Sequence, residues 1–186
     1  PLNYRGGEGD TSFATLRING KNYIYGNTKN GGRFITEPYI DADRIISTWV
    51  QDDICVTQTL TVLNDSQDEK LGAVKIDYTV WNTNDASEGE AGNVNVGARL
   101  VLDSQLGAQD YAVYEMAPND VNGTYIQYTR ETEILKDDMS AHFRSLDNNY
   151  QPRVVAYGYP DDSGTKPDRM IFGHWYAMAE NLWDYE

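Results

Sequence analysis

Period-two alternation runs through most of the chain. Ser12 to Ile18 alternates, Asn19-Gly20 interrupts it, and Lys21 to Tyr25 resumes it. Asn-Gly accepts positive φ at both central positions of a two-residue loop, so the segment predicts a type I′ hairpin. From Asp53 to Leu63, residues Ile54, Val56, Leu60 and Val62 share one face, and Thr57, Thr59 and Thr61 share the other. That is the pattern of a half-buried antiparallel strand with a β-branched outer face. An acidic polar turn over 64–70 leads to a second long strand from Gly72 to Asn82, with Val74, Ile76, Tyr78 and Val80 on one side. After a polar loop over 82–92, Val94, Val96, Ala98, Leu100 and Leu102 mark a third strand, with that parity toward the core. Consecutive strands tend to be neighbours, so these three are expected to form a meander.

Further strands are predicted at Tyr111–Met116, Thr124–Glu133, Arg153–Tyr159 and Arg169–Gly173. Helical signal is thin. Asp137-Asp138 followed by Met139, Phe143 and Leu146 has the spacing of a short helix with acids at its favoured end. Ala177 to Trp183 suits another turn or two. Trp49 and Trp81 end apolar strands and are expected in the core. The whole reads as an all-β chain, an antiparallel β-sandwich with one or two short helices, forming a single domain over residues 1–186.

Charge narrows the partners. With 15 Lys and Arg against 29 Asp and Glu, the net charge is −14 over 186 residues. That disfavours nucleic acid and anionic membrane surfaces, which attract basic patches. No apolar run approaches the ~20 residues a membrane-spanning helix needs, so no membrane insertion is expected. One cysteine, Cys55, allows no intrachain disulfide. The chain opens on Pro1 without an apolar leader-like stretch, which reads as a processed or excised piece of a longer protein.

The third long strand carries a resemblance. Val96-Gly97-Ala98-Arg99-Leu100-Val101-Leu102-Asp103-Ser104-Gln105-Leu106-Gly107-Ala108-Gln109-Asp110 resembles a VGxRxxLDTxLGxND signature. That signature belongs to large β-sandwich domains in surface and secreted proteins of Gram-positive bacteria of the clostridial and ruminococcal type. Ile18-Asn19-Gly20-Lys21 with Tyr23 and Gly26, Trp49, Asp53-Ile54, Gln58-Thr59-Leu60 and Lys75-Ile76-Asp77-Tyr78-Thr79-Val80 fit the same pattern. So do Pro167-Asp168-Arg169, His174-Trp175 and Trp183-Asp184-Tyr185. These motifs are structural rather than catalytic. The chain departs from the pattern after Asp110, where Tyr-Ala-Val-Tyr replaces a glycine-containing turn. Relatives of this kind continue past the Trp-Asp-Tyr segment with at least one more strand. The resemblance therefore implies an open C-terminal edge, filled by a second polypeptide or by a dimer. It also implies an extracellular or cell-surface location.

No nucleophile machinery stands out. A Gly-x-Ser-x-Gly elbow is missing, Cys55 lies mid-strand, and His142 and His174 lack metal-binding spacing. The doublets Asp52-Asp53, Asp137-Asp138 and Asp161-Asp162 point to opposite faces if extended. None by itself supplies the facing acids of a glycosidase. No catalytic residue is assigned and no cofactor is expected. Calcium is favoured over zinc as a structural ion, because the loops are rich in oxygen ligands. Its candidate ligands are Asp161, Asp162 and Asp168, with Asp103 and Asp110 as a second loop.

The main functional lead is aromatic. The chain has 14 Tyr and 4 Trp but only 4 Phe. Sugars present apolar C–H faces and hydroxyl edges, which match tyrosine or tryptophan flanked by polar side chains. Tyr111, Tyr114, Tyr125 and Tyr128 follow the signature, with Asn119, Asp120, Asn122 and Gln127 among them. Trp175 and Tyr176, near Trp183, form a second group. Residues three apart on a strand face opposite ways, so Tyr111 and Tyr114 cannot share a platform, nor can Tyr125 and Tyr128. The competing reading of these tyrosines is cross-strand packing. The sequence thus points to a non-catalytic carbohydrate-binding module of a secreted or cell-surface bacterial polysaccharide-handling protein. Its partner would be a polysaccharide, with a glucan such as starch as the first candidate. The alternative is a structural or adhesive surface module without a small ligand. A glycoside hydrolase ranks third.

Overall fold

The alternating segments do form strands, and the antiparallel pairing leaves one side of each for a core. The computed structural model describes residues 12–64, 72–83, 94–107, 113–117, 124–160 and 164–185. In chain order the strands are β1 (Phe13–Ile18), β2 (Lys21–Ile24), β3 (Arg33–Asp41), β4 (Arg44–Gln51), β5 (Ile54–Asn64) and β6 (Gly72–Asn82). They continue as β7 (Val96–Val101), β8 (Val113–Met116), β9 (Ile126–Tyr128), β10 (Thr132–Leu135), β11 (Phe143–Leu146), β12 (Val155–Gly158) and β13 (Arg169–Phe172). One helix, α1 (Trp175–Glu180), and a 3-10 turn at Lys136–Asp138 are the helical elements among the described residues. The fold is all-β and antiparallel. It divides into two compact units, one over Ala14–Arg99 and one built from Leu100 onward together with Ser12 and Phe13.

In the first unit the sheet β2-β1-β7 covers the sheet β3-β4-β5-β6. The Asn19-Gly20 hairpin forms as the sequence predicts, with φ of 47° and 82° and Ile18 opposite Lys21. Leu16 and Ile18 from β1 meet Trp49, Ile54 and Val56 from the larger sheet. Trp49 is fully buried. Tyr25 anchors the aromatic part of this core, with ring centroids 6.1 Å from Phe34, 5.9 Å from Trp49 and 5.8 Å from Tyr78. Its hydroxyl donates to the Ser47 carbonyl at 3.0 Å, and its burial pushes its pKa up. A tyrosine can occupy this core because its one polar atom is satisfied there.

Three expectations need correction here. The meander stops after two strands: β5 and β6 pair over eleven positions, but β7 joins β1. The main-chain bond from Asn19 N to Asn95 O at 3.0 Å fixes the chain beside the first hairpin as it enters β7. The parity of β7 is also reversed, with Val101 buried and Val96, Leu100 and Leu102 exposed. Apolar residues stand on both parities of this strand, so alternation alone does not choose its inner face. Trp81 is exposed, because it shares the outer face of β6 with Lys75 and Asp77, away from Tyr78.

In the second unit the sheet β12-β11-β8-β9 packs against the pair β10-β13. Met116, Ile134, Met139 and Phe172 form the buried centre, flanked by Tyr114, Tyr128, Phe143 and Met170. The helix expected around Met139, Phe143 and Leu146 is absent. Only its acidic start turns, as 3-10, and Phe143–Leu146 is the central strand β11, paired on both sides with β8 and β12. The local spacing suits a helix, but the two flanking strands supply main-chain partners that a helix there would leave unmet. The second helical segment forms, shifted toward its N-terminal side as α1. The strand expected over Thr124–Glu133 splits into β9 and β10.

Candidate functional site

The second unit turns one face of its four-stranded sheet toward Phe172 and the other outward. On the inner face, Tyr114 stacks on Phe172 with centroids 4.5 Å apart, and Tyr128 lies 5.6 Å from the same ring. On the outer face, the registers place four side chains in one row across the sheet. Gln127 on β9 is opposite Glu115 on β8, Glu115 is opposite Arg144 on β11, and Arg144 is opposite Tyr157 on β12.

Side-chain hydrogen bonds join this row end to end. Gln127 Nε2 donates to Glu115 Oε1 at 3.4 Å, and a second, shorter bond links it to Asn149 Oδ1. Arg144 Nε donates to Glu115 Oε2 at 2.6 Å. Burial alone would lower the Arg144 pKa. The hydrogen bond and charge of Glu115 outweigh this, with help from Tyr125 and a hydrogen bond with Tyr157, and hold the guanidinium above its ordinary value. Arg144 is thus charged at every accessible pH, and Glu115 compensates that charge locally.

Extending the same registers by one residue brings Tyr125, Ala117, His142 and Tyr159 into a neighbouring row. Ala117 is small and buried. The Tyr125 hydroxyl and His142 Nε2 are 3.0 Å apart. The His142 ring lies 6.0 Å from Tyr157 and 5.7 Å from Tyr159. The Arg144 guanidinium carbon sits 3.6 Å above the centre of the Tyr125 ring, a cation–π contact. Tyr157 and Tyr159 remain 53% and 60% exposed. The outer face is therefore a polar strip, fixed by its own hydrogen bonds, beside tyrosine rings that keep much of their surface open.

The sequence candidates divide between the two faces. Tyr125 and Gln127 stand on the outer one. Tyr114 and Tyr128 go to the core, where the rings of Phe143 and Phe172 occupy their flanks. Tyr125 and Tyr128, three residues apart, face opposite sides of the sheet. Tyr111 and Asn122 lie outside the described residues, as do Asn119 and Asp120. Trp175 and Tyr176 sit on α1, with Trp175 stacked on His174 at 6.2 Å and Tyr176 edge-on to Trp175 at 5.7 Å. The Tyr176 hydroxyl bonds to Glu180, and that hydrogen bond, together with the carboxylate's charge, raises its pKa.

Of the calcium candidates, Asp161, Asp162 and Asp110 lie outside the described residues. Asp168 is exposed, its carboxylate 3.6 Å from Lys136 Nζ. Among the described residues no group of three or more His, Cys, Asp or Glu is gathered to hold a metal. No helix among them is long and apolar enough to cross a membrane. Burial raises the Cys55 thiol pKa, partly offset by Arg33, so it is not a ready nucleophile.

Sequence reasoning weighed His142 only as a metal ligand and set it aside, and it passed over Glu115, Arg144, Tyr157 and Tyr159. One signal was available: the alternation of Arg153–Tyr159 puts Tyr157 and Tyr159 on one face, two residues apart. A scan of protein-family models and searches of curated proteins and solved structures found no match to this chain.

Proposed function

We propose that the chain is a non-catalytic carbohydrate-binding module and that it binds glycan on the outer face of β8, β9, β11 and β12. The observation that carries this reading is the hydrogen-bonded row Gln127–Glu115–Arg144–Tyr157 beside the exposed rings of Tyr157 and Tyr159. Tyrosine faces suit the C–H faces of pyranose rings, and the row offers donors and acceptors for hydroxyls. Because Glu115 neutralises Arg144, the face suits a neutral polysaccharide, and a glucan such as starch is the first candidate. The row is held by its own hydrogen bonds, so binding loses little side-chain entropy. Such a module would belong to an extracellular or cell-surface polysaccharide-handling protein of the resembled type. Glu115, the half-buried acid of this face, is engaged by Arg144 and Gln127, which disfavours a role as a hydrolytic acid. The outer edge of β6, which no strand among the described residues pairs with, favours the structural or adhesive alternative.

Affinity electrophoresis in gels containing starch, β-glucan, xylan or mannan tests the proposal. Retardation by at least one is expected. Tyr157→Ala and Tyr159→Ala should weaken it about tenfold, since uncovering most of one ring face costs on the order of 1–2 kcal/mol. Tyr39→Ala, in the other unit, should leave it unchanged. Absence of retardation by all four polymers, or retardation indifferent to both tyrosine variants, would reject this face as a glycan platform.

A further inference from the structure

We propose that β6 is a homodimerisation edge, along which two copies of the chain pair antiparallel about a two-fold axis at Ile76. β6 ends the sheet order β3-β4-β5-β6, and among the described residues no strand pairs with its other side. It runs eleven residues with no register shift against β5. A long, regular edge presents a row of unpaired N–H and C=O groups that recruits another strand.

The opposite edge of the same sheet is protected by contrast. β3 contains Pro38 and two register shifts, between Phe34 and Thr36 and between Thr36 and Tyr39. Proline and bulges are the usual means of blocking edge pairing. β6 has neither.

Charge selects both the partner and the register. On the outer face of β6, Lys75 Nζ lies 3.1 Å from Asp77 Oδ1. Antiparallel pairing about Ile76 sets Lys75 of each copy opposite Asp77 of the other. Four charges then alternate in sign around the axis. Shifting the axis to Asp77 or to Lys75 would set like charges opposite each other, which is unfavourable. On the inner face the same register places Ile76 against its own copy and Val74 against Tyr78. Val74 is 61% exposed in the single chain. The self-complementarity of one strand about one residue is what an isologous two-fold interface requires. This edge lies in the Ala14–Arg99 unit, so the proposal stands independently of the glycan face and of any C-terminal edge.

Sedimentation over a concentration series tests it. The wild-type chain should show a monomer–dimer equilibrium. Lys75→Glu and Asp77→Lys should each raise the dissociation constant about tenfold or more, because each places like charges opposite at two symmetry-related positions. The combined variant, Lys75→Glu with Asp77→Lys, should return toward the wild-type value, since the alternation of signs is restored. Amide hydrogen exchange of the unmodified chain provides a readout free of substitutions: β6 should gain protection as concentration rises. A chain monomeric at every concentration overturns the proposal. So does a dimer insensitive to both single charge reversals, a combined variant as weak as the singles, or exchange in β6 that is independent of concentration.

Discussion

A double-mutant cycle on Glu115 and Arg144 measures whether the row across the outer face is a fixed device or a surface decoration. The variants are Glu115→Gln, Arg144→Met and the pair. The two side chains are 12% and 29% exposed, and their atoms meet at 2.6 Å. Fully exposed ion pairs couple by about 0.2–1 kcal/mol. Hydrogen bonds to charged groups out of solvent contribute roughly 1.5–3 kcal/mol. The burial here lies between those cases, so a coupling of about 1–2 kcal/mol is expected. The single variants should be unequal. Arg144→Met also removes the contact with the Tyr125 ring, worth about 0.5–1 kcal/mol at a partly open site. It further strands Glu115 with Gln127 at 3.4 Å as its hydrogen-bonding side chain. Glu115→Gln keeps an acceptor for Arg144 and should cost less. Urea unfolding of the four proteins, followed by circular dichroism, gives the coupling. A value below about 0.3 kcal/mol, the scatter of independent sites, would mean that Glu115 and Arg144 are not coupled. The face would then lack the pre-organisation on which the glycan reading relies.

Two glycine substitutions separate packing from backbone strain. At Gly158, opposite Phe143 in register, an added Cβ would lie 2.2 Å from the Phe143 ring, so Gly158→Ala should destabilise by about 1–3 kcal/mol. Adding Phe143→Leu should recover part of that loss in thermal melts, and a double variant no more stable than the single would contradict the packing explanation. At Gly20 nothing lies within 4 Å of an added Cβ, but φ is +82°, so Gly20→Ala should cost about 1–2 kcal/mol with no steric contact at all. Unchanged stability there would mean that the Asn19-Gly20 turn relaxes at no cost.

Much of the fold was legible because alternation is a local signal. Asn19-Gly20 fixes a hairpin through the φ that its two residues accept, and the run from Gly72 to Asn82 coincides with β6 to the residue. What failed was non-local. The turns at Ala42 and Asp52 carry positive φ of 55° and 51° without glycine, so the β3–β4–β5 hairpins left little trace in composition. The step of β7 across to β1 depends on hydrogen bonds between Asn19 and Asn95, residues far apart in the chain. In β11, a helical spacing of Met139, Phe143 and Leu146 was overridden by pairing on two sides.

The candidate site shows the same limit more sharply. Alternation places Tyr157 and Tyr159 on one face of β12, and Arg144 with His142 on one face at β11. It cannot say that these two faces are the same side of one sheet. That fact comes from the Arg144–Tyr157 register, which in turn depends on how the chain turns between Leu146 and Val155. Asp147 governs this turn: its Oδ1 accepts from the Arg153 and Val154 amides at 2.9 Å and 3.1 Å, and its own amide donates to the Val154 carbonyl at 3.2 Å. Asn148 holds the middle of the loop through the Tyr150 amide at 2.8 Å. A one-residue slip here would send Tyr157 and Tyr159 to the core side and bring Ala156 and Gly158 outward, because strand side chains alternate with period two. The candidate face is therefore specified as much by an aspartate and an asparagine in a surface loop as by the tyrosines themselves. That is why residue types associated with sugar binding located only part of it.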